Sequence, residues 1–483
     1  MSLLGILSTA GQSLLTFQRG INSTNKNISN ATTEGYNREV PVFQDFPRSG
    51  VFMNKIIRVF DRSLFNRSIE LNQQLNSDNS FSEILSNIET MFNDTLGSGF
   101  SSDLNNFFNS INDMLIKPDD IAARSQFLAN AQTLVGKIRS INDSLDNQKQ
   151  DITLKVRDQV KQINQITDQL AKLNQTIKTK TLDIEANNEY LNERDRLIKQ
   201  LSDLIDTKVV FNEDNTVNVF TAKGYGLVVG IQSTPLSFET DTNGNPVVKW
   251  NGVADITTEI QNGQLGGNLK GIKSINDQLN KLNDFTTVFA TVFNKVHKKG
   301  YGLDGSTNLD FFTIDPSKSS TKIDASNIYL NITDPKKVAL AQNSTYLNSD
   351  NTNGKDLLGL KNNIRVLYTN PSQPVLTPAE EAALQSSLND STNYTYIKDH
   401  TFAEFYNTKL VADISSTSSY IKQQQQNNKY LYDAITEKMK NIAGVNMDEE
   451  LINLSKLQRS YQASARIITV TDELMQTILN LGK

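Results

Sequence analysis

The sequence predicts a mainly α-helical fold with inserted β structure: terminal coiled-coil helices, a long-helix bundle, and one or two small β-rich domains inserted between helices. Three observations predict it. Apolar residues recur in alternating steps of three and four at both ends of the chain, a long tract from about Asp119 to Ile205 keeps a helical period, and Thr207 to about Gln261 turns β-branched and hairpin-punctuated. A chain of 483 residues is too long for one ordinary core and divides into roughly three or four units.

At the N-terminus the seam runs through Leu3, Leu7, Ala10, Leu14, Phe17, Ile21, Thr24 and Ile28. Its 4-3 alternation is that of a coiled coil, narrower than the stripe of a helix lying on a globular core. At the C-terminus Leu454, Leu457, Tyr461, Ser464, Ile468, Thr471, Met475 and Ile478 repeat the pattern. Two arrangements satisfy the pair: the seams pack on each other inside one chain, or they meet other copies. The second is expected, because Ala10, Thr24, Ser464 and Thr471 would make a weak closed core. The subunit-interface residues are then Leu7, Leu14, Ile21, Ile28, Leu454, Leu457, Tyr461, Ile468, Met475 and Ile478, with both ends mobile in the free monomer and helical in the assembly.

Between the ends, Ile138, Ile141, Leu145 and Ile152 lead into Val156, Ile163, Ile166, Leu170, Leu173 and Ile177, with a stutter at Gln148, Ile152 and Val156. Further helices run near Phe81–Met91, through Ile272–Val296, and from Phe402 to Ala443, enough for a bundle. "VVFNEDNTVNVF" pairs around Asp214-Asn215 and "DTNGNPVVKW" turns at Asn243-Gly244. "TPAE", Thr377 to Glu380, is a capping box with proline at the first helical position, so a helix starts there. The expected division is 1–45 with 445–483 as a terminal helical layer; 46–206 with 263–302 and 402–444 as a helical bundle; 207–262 as an antiparallel β domain; and 303–401 as a second, mixed insertion.

Composition narrows the chemistry. The net charge of -5 without a dense Lys/Arg block argues against a nucleic-acid partner. With no cysteine, and His297 and His400 the only histidines, metal and nucleophile chemistry is nearly starved. No apolar run is long enough to cross a bilayer, and no basic residue precedes Arg19, so a cleavable secretory leader is not read here. "GYGLDG", Gly300 to Gly305, has dinucleotide-loop spacing, but a helix precedes it and none clearly follows, so it reads as a helix exit. "GYGLVVG", Gly224 to Gly230, reads as a hairpin strand, and "DTNGNP" as a plain turn lacking the later Glu of a calcium loop. Asp119-Asp120 and Glu449-Glu450 are adjacent and do not face one another on a helix. "KQQQQNN", Lys422 to Asn428, is a polar helix stretch, and Trp250 packs in the β domain. No catalytic, cofactor-binding or metal site is expected, and the chain does not read as an enzyme.

Five segments carry a resemblance. "NKNISNATTEGYNRE" is similar to the signature of the axial proteins of the bacterial flagellum (rod, hook and hook-associated proteins), through Asn27, Ile28, Asn30, Thr33, Gly35 and Tyr36, with Glu34 in place of the usual proline. Asn30, Gly35 and Tyr36 form the signature turn. "GVNMDEE" at Gly444–Glu450, "FFNSINDMLIKPDDIAARSQF" with Pro118 and Arg124, "NEYLNERDRL" with Arg194 and Asp195, and "FNKVHKKGYGLDG" resemble segments of the hook-associated protein 1 (FlgK) family. The likeness covers residues 1 to about 315 and 400 to 483.

What this resemblance implies is a junction protein between hook and filament, exported unfolded through the flagellar type III apparatus and located outside the cell. Its partners would be other copies of itself in a ring or helical layer, hook protein below, the next junction protein above, and a cytoplasmic export chaperone on the C-terminal helix; no nucleic acid and no membrane insertion are implied. A hook or rod subunit, a secreted wall hydrolase and a coiled-coil adhesin are the alternatives.

Overall fold

The computed structural model describes residues 2–33, 35–46, 50–92, 99–179, 184–361 and 376–481; Glu34, the substituted signature position, lies outside them. Helix α1 (Leu3–Ser29) opens on Ser2, whose hydroxyl accepts the Gly5 amide at 3.2 Å, satisfying one of the amide groups a helix start leaves without a partner. A hairpin of β1 (Glu39–Phe46) and β2 (Gly50–Arg58) follows and packs against α1. The sequence analysis predicts no strand here. The β-branched and aromatic run Val51–Ile57 was the missed signal.

The body is built on α2 (Arg62–Phe92), α3 (Phe100–Ile116), α4 (Ile121–Thr179), α5 (Ile184–Leu204) and α6 (Gly263–His297). At 59 residues α4 is roughly 90 Å long and buries the expected seam, including Ile138, Leu145, Val156 and Leu170. The tract predicted from Asp119 to Ile205 is two helices. α5 lies against α4, burying Leu197, Ile198 and Leu201. α6 approaches α2 closely through glycines: a Cβ on Gly267 would stand 2.4 Å from the Ser77 carbonyl oxygen, and one on Gly271 would stand 2.3 Å from Ile84 Cδ1.

Between α5 and α6 lie two antiparallel sheets, β3 (Thr207–Phe211), β4 (Val217–Thr221), β5 (Gly226–Val229) and β6 (Gln232–Ser233) in one, and β7 (Leu236–Thr240), β8 (Pro246–Trp250) and β9 (Ala254–Asp255) in the other. Both predicted turns are present, with Asn215 at φ 65 and Gly244 at φ 74. Asp241 accepts the Asn243 and Asn245 amides, each at 2.8 Å, so the carboxylate of "DTNGNP" closes its own turn. Trp250 donates to the Gly226 carbonyl at 2.8 Å, tying the sheets together.

Past α6 come a two-stranded sheet, β10 (Phe312–Ile314) and β11 (Ile328–Leu330), then α7 (Thr352–Gly359), α8 (Pro378–Ser387) and α9 (Ser391–Asp399). α8 begins with the reciprocal Thr377/Glu380 capping box expected there. "GYGLDG" is a turn, closed by Gly302 N–H donating to the Ser306 carbonyl at 2.8 Å and Gly305 N–H to the Gly302 carbonyl. Arg124, fully buried on α4, clasps this region by donating to the carbonyls of Pro118 and Val338, both at 2.7 Å. Phe107, Phe127, Phe289, Phe293, Phe311 and Phe312 form the aromatic centre where α3, α4 and α6 converge. One helical run then leaves that centre: α10 (Phe402–Phe405), a π-helical turn (Tyr406–Ala412) and α11 (Asp413–Ala443). The last helix is α12 (Met447–Leu481).

Candidate functional site

Within the single chain the two terminal seams meet each other. α1 and α12 run antiparallel: Asn27 touches Glu450, and further back on α1 Gly20 meets Leu457 further along α12. The contact is built of small residues. Ala10, Thr16, Gly20, Ser23 and Thr24 are buried on α1, with Ser464 and Thr471 on α12. At Gly20 a Cβ would lie 3.1 Å from the Phe43 ring and 3.2 Å from Leu457 Cδ2, so this crossing has no room for a larger side chain without a shift.

The signature turn locks the end of the pair. Asn30 donates its side-chain amide to the Lys26 carbonyl at 2.9 Å, and Gly35 takes φ 80, a left-handed conformation that glycine adopts without steric cost. The chain then doubles back so that the Tyr36 hydroxyl donates to Asn27 Oδ1 at 2.8 Å. Asn27, 1% exposed, is the hub: Oδ1 also accepts the Glu39 amide at 2.9 Å, while Nδ2 donates to the Glu39 carbonyl at 2.8 Å and to Glu450 Oε2 at 3.1 Å. Its amide capacity is filled, and that network sets the amide orientation.

"GVNMDEE" supplies the other half. Asn446 accepts the Asp448 amide at 3.0 Å and so caps α12, which places the Glu450 carboxylate inside the knot. Gly444 is required, since a Cβ there would stand 2.3 Å from the Lys440 carbonyl oxygen. Arg38 N–H donates to the Ala443 carbonyl at 2.8 Å, and the Arg38 guanidinium pairs with Glu449 at 3.1 Å. Burial raises the Tyr36 pKa, helped by the carboxylates of Glu39, Glu450 and Glu189, so it stays a neutral donor. Burial works against the charge of Lys26, but Glu189 at 2.9 Å and Glu39 at 3.3 Å outweigh it and raise the pKa.

α5 then holds this terminal unit to the body. Glu189 pairs with Lys26, Asn192 accepts from Asn37 at 3.2 Å, and Asp195 pairs with Arg58. These three residues, spaced by three, share one helix face. Asp195 also takes Arg194 at 2.7 Å, and both guanidiniums lie over phenylalanine rings, Arg58 on Phe60 and Arg194 on Phe211.

Of the residues read as an interface, Leu7, Leu14, Ile21, Ile28, Leu454, Leu457, Tyr461, Ile468 and Met475 are half-buried, and Ile478 is 56% exposed. Sequence reasoning missed most of a second stripe on α12: Ile467, Val470, Leu474 and Leu481, together with the seam residue Ile478, are exposed at steps of 3, 4, 4 and 3. By the helical repeat it lies about 100° around the helix from the face that α1 covers. It also left Glu39 and Glu450 without a role, although each sits within a segment already quoted for its likeness. Among the described residues no group of three or more His, Cys, Asp or Glu is placed to hold a metal, and no helix is long and apolar enough to cross a membrane.

Residues 85–312 match the family described as the flagellar hook-associated protein FlgK helical domain, and residues 439–481 match the C-terminal family of flagellar basal body rod FlgEFG proteins. Flagellar hook-associated protein 1 of Salmonella typhimurium is 26% identical over 99% of each chain, and that of Escherichia coli K12 is 25% identical with the same coverage. Over nearly its whole length the chain is thus similar to flagellar hook-associated protein 1. The Bacillus subtilis member is 23% identical over 98% of this chain and 97% of its own. The hook junction protein FlgK of Burkholderia pseudomallei shares the fold, with TM-score 0.63 at 14% identity, over 78% of this chain and 100% of that one. The rod-type match contains Asn446, Glu450 and all of α12, and the FlgK helical-domain match contains Arg124, Arg194, Asp195 and the "GYGLDG" turn.

Proposed function

We propose that this chain is a structural component of the bacterial flagellum that joins hook to filament, exported unfolded and assembled at the hook tip through its terminal helices. The observation that carries the proposal is the uncovered apolar stripe on α12, beside a helix pair whose own contact is built of small and polar residues. Such a pair buries little apolar surface for its length, and neighbouring copies that cover the stripe supply the remainder. Residues 1–45 with 445–483 form the polymer core. Their ordering on assembly costs roughly 1–2 kcal/mol of backbone entropy per residue, offset by that burial.

Other copies are therefore the first partners, with hook protein below, the next junction protein above, and an export chaperone on the C-terminal helix before export. The location is extracellular, at the hook–filament junction. The rod-type match at 439–481 is common ground with rod and hook subunits, whereas the FlgK helical-domain match favours the junction. Electron microscopy of cells carrying an in-frame deletion tests the assignment. Hooks without filaments, with filament protein shed into the medium, are expected; absent hooks would move the chain to rod or hook, and normal filaments would remove the junction role.

A further inference from the structure

The seven-residue π turn Tyr406–Ala412 interrupts what is otherwise one helical run. A π turn holds an extra residue per turn, is poorly favoured in long runs, and is often found at functional positions. Its two sides differ sharply. On the near side Phe402, Phe405, Tyr406 and Leu410 are buried, Tyr406 stacks on Phe100 with centroids 4.3 Å apart, and Lys281 of α6 holds the Lys409 carbonyl at 3.0 Å and Asp413 at 2.9 Å. On the far side the 31-residue α11 lies along α2 and, among the described residues, against no other helix to a comparable extent.

That one contact is mostly polar. Glu89 accepts from Ser418 at 3.0 Å and pairs with Lys422 at 3.3 Å, Asn79 accepts from Gln425 at 2.7 Å, and Asp78 accepts from Asn428 at 2.7 Å. Only Ile414, Ile421 and Ala443 are buried apolar residues of α11. Ser418, Asn428 and Asp78 are buried, whereas the Gln425–Asn79 and Lys422–Glu89 pairs lie at the surface, where such pairs hold weakly, and the contact buries little of the apolar face that chiefly stabilises a helix. The root of α11 also has clearance. An open groove of about 540 Å³ there is lined by Asp413, Ile414 and Thr417 of α11, Phe81 of α2, and Lys273, Gln278 and Lys281 of α6, with Lys281 bridging it to Asp413. Gln278, 3% exposed, lines it with a side-chain oxygen that has no hydrogen-bond partner.

We propose that α11 is a hinged arm, moving off α2 about the π turn, with the groove at its root as the space it moves in. The far end carries the motion onward, because Ala443 is bonded to Arg38 of the hairpin and leads into α12. The terminal unit would then rock about its buried attachment to the body, Arg58–Asp195. The hinge is a property of the free chain and stands or falls independently of the junction assignment.

Hydrogen–deuterium exchange on the full-length protein tests it. Peptides within 413–443 are expected to exchange about tenfold or more faster than those of α2, α4 and α6, with the break falling inside the π turn. In an Asn79→Cys/Gln425→Cys variant the two new thiols are the only ones in the chain. Oxidation should slow α11 towards the rate of α2, and reduction should restore it. Deleting Thr408, exposed in the π turn, returns the run to plain α-helix and should slow α11 several-fold. Exchange in α11 within about twofold of α2 in the native chain would overturn the arm. Fast exchange that the disulfide slows but the Thr408 deletion leaves unchanged would overturn the hinge, leaving only a weak helix contact.

Discussion

Asn27 shows how much one side chain can fix. It bonds the turn, the first strand and the C-terminal helix at once, from a site 1% exposed. Asn27→Ala leaves the Glu450 carboxylate, the Tyr36 hydroxyl and the Glu39 amide without their partner, a loss on the order of 3 kcal/mol to the terminal unit. Faster exchange confined to α1, the hairpin and the start of α12 is the expected readout. His297 is a second buried hub, 1% exposed: its Nδ1–H donates to the Leu309 carbonyl at 2.8 Å and Nε2 accepts the Ala339 amide at 3.1 Å. Burial pushes its pKa from 6.5 down to about 4. The unfolded chain therefore binds a proton between those values that the folded chain refuses, so stability is full above about pH 6.5 and falls as pH drops towards 4, by about 3 kcal/mol at most. Urea midpoints measured from pH 7 to 4 should fall accordingly, and His297→Gln, neutral throughout, should flatten that part of the profile. His297 read from sequence as a scarce histidine with no assigned chemistry; only the fold supplies the two backbone partners that make it a clasp.

Elements were legible where the pattern is local. The α4 seam, both β turns and the Thr377 capping box follow from periodicity and from residues that favour one backbone conformation. Thr377→Ala should cost about 1 kcal/mol of α8 stability, seen as earlier local exchange over Pro378–Ser387. The second strand of the first hairpin was carried by the local Val51–Ile57 run and was overlooked, whereas the return of α5 onto α4 and the π turn were not legible, because each depends on packing against other elements. The same holds for the α1–α12 contact. Its seams were readable, but that they meet each other is decided by small residues that permit close approach, above all Gly20. Gly20→Ile, thrust against Phe43 and Leu457, should destabilise the pair by roughly 1–3 kcal/mol, whereas Gly20→Ala should be near neutral because helix propensity offsets the tighter contact. Thermal melts of the two variants followed by α1 and α12 exchange distinguish these outcomes.

For the whole molecule, short segments carry the likeness to flagellar hook-associated protein 1 that the comparisons support, and the fold shows what those segments hold together. "NKNISN" and "GVNMDEE" are two halves of one buried knot, and "NEYLNERD" is the face that ties it to the body. Apart from Ile478, itself a seam residue, the second α12 stripe was not read, since Ile467, Val470 and Leu474 lie one position off the seam and gain meaning only once α1 is seen to cover the other face. The central claim is that this stripe joins copies of the chain. Leu474→Asp changes a side chain 50% exposed, so the monomer should lose little stability while the proposed contact gains a buried charge. The measurement is electron microscopy of hooks from cells whose only copy carries Leu474→Asp, with the secreted protein assayed in parallel. Exported variant protein in the medium, with hooks bare of filament, is the predicted result; normal filaments on those hooks would contradict the account.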